Sequence, residues 1–140
     1  NEYLKLLWLS RANCMAMVRR KSAGSKVPVL YKIMPRQDWE TAQANGIYEG
    51  SEADRRDGFI HLSAARQVRA TARKHFSGQG DLLLVAVTEE ALGQSLKWEA
   101  SRGGELFPHI YGNLPLNAVS EVVPLPLVNG SHQFPDRITS

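Results

Sequence analysis

From residue 28 onward the chain is built of short apolar blocks separated by polar ones, and the period changes from block to block. Val29-Leu30-Tyr31-Lys32-Ile33 is an apolar run entered through Pro28, which predicts a strand. Pro35 suits the first turn of a helix. PRQDWETAQA follows, with Asp38 and Glu40 placed early, where the helix dipole favours acid. Trp39 and Ala42 share a face of that helix, and Asn45-Gly46 ends it. Ile47-Tyr48 reads as a short strand, and SEADRRDG (51–58) as a polar loop. In DGFIHLS (57–63), Phe59, Ile60 and Leu62 are core-type residues of a strand. His61 alternates with Ile60 and Leu62 and so points to the opposite face.

Ser63 is the expected N-cap of the next helix, AARQVRATARKHF, whose Ala65, Val68, Ala72 and Phe76 form an apolar stripe. Arg66, Arg69 and Arg73 form a neighbouring stripe, read as a solvated face that can also steer an anion. DLLLVAVT (81–88) is apolar on both faces, the mark of a central strand. TEEALGQ begins as a capped helical turn, and Leu96-Lys97-Trp98-Glu99 as a short strand. Ala118 to Leu127 is a last strand region, which Pro124 and Pro126 assign to a sheet edge. NGSHQFPDRITS reads as a polar, frayed tail. Helices and strands alternate irregularly at first and strands dominate later, an order that favours α+β. The expected organisation is a leader over 1–26, one domain over 27–127 and a tail over 128–140.

Charge alters this picture in one respect. Residues 1–26 carry six basic side chains against Glu2 alone, a balance of +5, whereas the other 114 residues carry 11 basic and 13 acidic side chains, a balance of −2. The overall net charge of +3 therefore belongs to the leader and makes no case for nucleic-acid binding by the domain. YLKLLWL (3–9) is far shorter than the roughly 20 residues that span a bilayer, so no membrane span is expected. Residues 1–16 admit two readings: an extension ahead of a start at Met15 or Met17, or an amphipathic arm. SAGSK (22–26) reads as a flexible linker. The single cysteine, Cys14, forms no intrachain disulfide and no zinc pattern, and the cytoplasm is the expected setting.

The chain carries no GxGxxG, P-loop, GxSxG or HExxH pattern. Three places carry candidate chemistry. His61 and Ser63 face the same way, ahead of a helix start and after Arg55 and Arg56, a grouping suited to a phosphate or carboxylate; the plainer reading is a strand histidine bonded to backbone. In FPHIYG (107–112), His109 and Tyr111 share a face if the piece is extended; otherwise it is a turn packed by aromatics. Glu99 follows Trp98 and is either a carboxylate raised by an apolar wall or a surface glutamate.

LYKI (30–33), Trp39 with Ala42 and Gly46, DGFIHLS, LLLVAV (82–87), LKWE (96–99) and FPHIYG together resemble a small bacterial family catalogued as domain of unknown function 952. The resemblance covers about residues 29 to 126 and brings no activity with it. A further similarity is to the RNA 2′-phosphotransferases of the ADP-ribosyltransferase superfamily, carried by a helix ending in glycine, an arginine-bearing loop and His-Leu-Ser leading into a helix. It implies an ADP-ribosyltransferase-like α+β fold, with small split antiparallel sheets and two main helices around a cleft. The first-strand motif departs from that pattern, reading Tyr31-Lys32-Ile33.

The similarity implies transfer or hydrolysis at an ADP-ribosyl or phosphoribosyl linkage, with NAD or an ADP-ribose-like nucleotide as ligand. Lys32, Arg55, Arg56 and Ser63 would hold phosphate, and His61 would bond a ribose hydroxyl or diphosphate oxygen. Glu99 or Glu105 would orient the nucleophile, His109 would share the catalytic work, and Tyr111 would stack on a ring. Two alternatives stand beside it: a non-catalytic module binding a nucleotide or peptide, and a protein-interaction domain.

Overall fold

The structure, a computed structural model, describes residues 28–138. The leader, its linker and Cys14 lie outside the described residues. The chain runs β1 (Val29–Pro35), α1 (Arg36–Asn45), β2 (Ile47–Tyr48), α2 (Glu52–Asp57), β3 (Ile60–His61), α3 (Ala65–His75), β4 (Leu82–Thr88), β5 (Leu96–Ala100), β6 (Leu106–Ile110), β7 (Leu114–Pro115), β8 (Val119–Leu125), β9 (Leu127–Val128) and β10 (Ser131–His132), with short 3-10 segments between some of them. This is an α+β arrangement of small antiparallel sheets. One sheet is ordered β1-β4-β8, another β3-β6-β5, and two-stranded pairs join β2 to β7 and β9 to β10.

β4 is the central strand its sequence predicts, and its alternation divides the core. Leu83, Val85 and Val87 pack with Leu30, Met34, Tyr48, Ile60 and Ile110. Leu82 and Leu84 pack on the other side with Ile33, Val68, Ala72 and Leu125. β8 takes the edge that its prolines require, and β5 is an edge strand of the second sheet. The two longer helices fall where predicted, and Gly46 closes α1 at φ 83°, its N–H donating to the Ala42 carbonyl at 2.8 Å.

Four expectations need correction. Residues 51–58 are not a loop: Ser51 and Asp54 form a reciprocal capping box and Gly58 closes the turn, so a third α-helix stands there beyond the two expected. Its buried residue is not apolar but Asp54. Ser63 is not the N-cap of α3. Ala64 takes that position, its N–H donates to Gln67 Oε1 at 2.9 Å, and the Ser63 hydroxyl turns to Thr71 Oγ1 at 3.0 Å. The tail over 128–138 is not frayed: it forms the β9–β10 hairpin and buries Ile138 against Val68, Ala72 and Leu125. Arg69 donates to the Ile138 carbonyl and lies 4.9 Å from the Phe134 ring centre, so this arginine covers the tail rather than facing solvent alone.

The chain passes between sheets next to His61. Leu62 N–H donates to the Pro108 carbonyl at 2.9 Å, but Pro108 has no N–H to return the bond. The second sheet therefore loses this chain after His61. Ser63 instead exchanges both backbone bonds with Tyr31 of β1, at 2.8 and 2.9 Å.

Candidate functional site

The pleat of the second sheet sorts its residues. Ile60 pairs with Ile110 and both are buried in the core; His61 pairs with His109, so those two side chains emerge together on the other face. Glu99 pairs with Phe107 across β5 and β6 and joins that face, and Tyr111 reaches it from the end of β6. FPHIYG is thus mostly extended strand, not a packing turn. The imidazole rings of His61 and His109 meet edge to face with centres 5.4 Å apart. Phe59 stacks on His109 at 4.1 Å and touches His61 at 4.8 Å.

Each imidazole is held by carboxylate. His61 Nδ1 lies 2.7 Å from Asp54 Oδ1, and its Nε2 lies 3.0 Å from Asp57 Oδ2. Asp54 is 2% exposed and also accepts from Lys32 Nζ, from the His61 N–H at 3.1 Å and from the Ser51 N–H at 2.9 Å. Burial pushes the Asp54 carboxyl up. The hydrogen bond from His61, the Lys32 charge and the Ser51 amide together outweigh it and hold the group well below the usual carboxylate range. Lys32 is moved down by burial, against the pull of Asp54. Its ammonium donates to Asp54 Oδ1 at 3.1 Å and to the His61 carbonyl at 3.0 Å, and stands 2.9 Å from Asp54 Oδ2.

The second pair is His109 with Glu99. His109 Nδ1 lies 2.7 Å from Glu99 Oε1, and the Tyr111 hydroxyl donates to the same oxygen at 2.9 Å. The hydrogen bond from His109, then that from Tyr111, lowers the Glu99 carboxyl, the opposite of the raised value its aromatic neighbour suggested. Tyr111 is raised by the same contact. His109 is 3% exposed, and its Nε2 is buried with no hydrogen-bond partner among the described residues.

Lys32, Asp54, Arg56, Asp57, His61, Ser63 and His109 share the wall of one cleft of about 550 Å³, with Phe76 and Phe107 adding apolar surface. The proposed phosphate cradle is not assembled. Arg55 turns to the Gly50 carbonyl at 2.5 Å and borders a separate depression beside α1. Arg56 reaches the cleft but pairs with Asp57 at 3.4 Å. Glu99 and Tyr111 stand behind His109 rather than in the cleft wall, and Glu105 accepts from Gln67 at 2.8 Å. Sequence reasoning missed Asp54, Asp57 and Phe59. The Ser-x-x-Asp spacing of 51–54 was the available signal for Asp54. Among the described residues no group of three or more His, Cys, Asp or Glu side chains is arranged to hold a metal ion. No described helix is long and apolar enough to cross a membrane.

Comparison with known proteins places this fold. Residues 33–122 match the family described as protein of unknown function (DUF952), and the chain belongs to that family. A crystal structure of protein CC0527 from Caulobacter crescentus is similar at 49% identity and a TM-score of 0.75, over 79% of this chain and 97% of that one. The solution NMR structure of CC0527 is similar at 49% identity and a TM-score of 0.67, over 74% and 90%. None of the matched structures is an ADP-ribosyltransferase. No curated protein matches.

Proposed function

We propose that this chain is a binding module for a small nucleotide-like ligand seated in the cleft beside His61 and His109. One observation carries the reading: His109, a residue of the wall of an open cleft, has a buried imidazole nitrogen with no partner among the described residues. Buried polar atoms are almost always hydrogen-bonded, so an orphan in such a wall is a place where a ligand atom completes the structure. Calorimetric titration with adenosine, NAD, ADP-ribose and a 2′-phosphorylated nucleotide tests it. Heat from at least one of them, lost in His109→Phe, is expected. Silence from all four with the protein folded would end the reading.

A second reading has a specific observation in its favour. Two carboxylate-held imidazoles with ring centres 5.4 Å apart are acid–base equipment: one ring can give a proton while the other takes one. Transfer or hydrolysis at an ADP-ribosyl or phosphoribosyl linkage, in an ADP-ribosyltransferase-like cleft between split sheets, would use such a pair. The binding reading ranks first because Arg55 bonds the Gly50 carbonyl and Lys32 is buried against Asp54 and the His61 carbonyl, which leaves a diphosphate without its clamp. Release of nicotinamide from NAD, abolished by His61→Ala with binding retained, would reverse that order.

A further inference from the structure

We propose that the cleft selects a ligand by the hydrogen bonds its sugar hydroxyls donate: an uncharged molecule such as a nucleoside, rather than one bound through its phosphates. The inference rests on the binding reading above and names the chemistry of the occupant.

Glu99, lowered by its neighbours, is ionised at neutral pH and only accepts. His109 Nδ1, 2.7 Å from it, therefore donates to it. In that tautomer Nε2 carries a lone pair, and it has no hydrogen-bond partner among the described residues. The Ser63 and Thr71 hydroxyls meet at 3.0 Å, and either can donate to the other. Two neighbouring donors are engaged, Lys32 on Asp54 Oδ1 and the His61 carbonyl, and His61 Nδ1 on Asp54. Among the described residues His109 Nε2 is the buried side-chain atom without a partner, and what it offers is acceptance.

Charge points the same way. Lys32 and Arg56 in the wall face Asp54, Asp57 and Glu52, so the cleft has no cationic excess for a phosphate. Phe76 and Phe107 supply apolar surface for a ring. In this scheme Glu99 is a positioning residue: it acts through the tautomer of His109 and does not line the cleft.

Two measurements test the proposal. Nitrogen-15 NMR of the unliganded protein reads the tautomer directly: His109 Nε2 is expected unprotonated, and Glu99→Ala is expected to move its signal toward the protonated form. Calorimetry then compares adenosine with 2′,3′-di-O-methyladenosine and with AMP. O-methylation, which removes donors but keeps oxygens, is expected to weaken binding at least tenfold, whereas the phosphate of AMP gives no gain. A protonated Nε2, or equal binding of the methyl ether, overturns the donor rule and leaves the binding reading standing. Failure of every probe to bind the folded protein overturns the binding reading and the donor rule with it. His109→Phe, which keeps the stack on Phe59, is expected to lose adenosine at least tenfold; retained affinity would overturn the assignment.

Discussion

Asp54 and His61 stand seven residues apart in sequence and are joined twice, once through the ring at 2.7 Å and once through the His61 backbone N–H at 3.1 Å. The first bond aims the imidazole and the second ties the end of α2 to β3. The same carboxylate pairs with Lys32 from β1 at 2.9 Å, so one buried side chain links three elements. Breaking a buried pair by removing one partner leaves the other charge uncompensated. Asp54→Ala is therefore expected to destabilise the fold by about 3–5 kcal/mol, read as a shift of the urea midpoint at constant slope. A change within experimental error would mean that Lys32 and His61 find other partners.

The same carboxylate sets an acid limit. Its folded-state value lies below the unfolded one, so its contribution is fully present above the unfolded value of about 3.9 and is lost as pH falls below it toward the folded value. Thermal denaturation between pH 7 and 2 should show a falling midpoint below about pH 4. Asp54→Asn, less stable throughout, should show a shallower fall over that window. Parallel curves for the two proteins would assign the acid loss to other groups.

His109 makes the opposite case. Its buried, unpartnered nitrogen carries a desolvation cost of roughly 1–3 kcal/mol that an apolar ring does not. His109→Phe gives up the bond to Glu99, which is half open to solvent, and keeps the stack on Phe59. Its stability is expected within about 1 kcal/mol of the parent or above it. A loss beyond about 3 kcal/mol would place His109 among the structural residues.

Gly50 sits where side chains are not tolerated. Its φ is 106°, and a Cβ there would lie 2.9 Å from Asp54 Cβ, too close without movement of the capping box. Gly50→Ala is expected to cost about 1–3 kcal/mol and to shift the His61 ring resonances along with it. Strain without any shift at His61 would show that the helix yields locally and the site does not.

The end of the described chain belongs to the core. Ile138 is 2% exposed and packs beside Val68 and Leu125. Ile138→Ala is expected to destabilise by about 2–4 kcal/mol in chemical denaturation, as for other buried isoleucines. An unchanged midpoint would return these residues to the status of a tail.

Much of this architecture was legible in the apolar pattern. Central β4, the proline-marked edge at β8, both longer helices and the turning of His61 away from Ile60 and Leu62 all follow from period and burial. The misses share a physical cause. α2 was hidden because it buries a carboxylate, and an apolar count finds nothing to bury in SEADRRDG; only its capping spacing gave it away. The tail read as frayed because Ile138 and Phe134 meet partners from α3, β4 and β8 that no local pattern reveals. His61 and His109 were each visible as candidates, but their meeting depends on strand register, and register is set by pairing across 48 residues. Glu99 was misread because its neighbour in sequence is Trp98, while its neighbours in space are His109 and Tyr111.

The bond that Pro108 cannot return has a mechanical consequence. Because the backbone from His61 to Ser63 is stitched first to one sheet and then to the other, the two walls of the cleft cannot swing apart without tearing backbone bonds at the place where a ligand would sit. Entry and exit are left to side chains at the rim, Asp57 and Arg56, which are the exposed partners of the constellation. The amide hydrogens of Leu62 and Ser63 should then exchange with solvent as slowly as those of β4, and the cleft has a fixed socket with a movable collar.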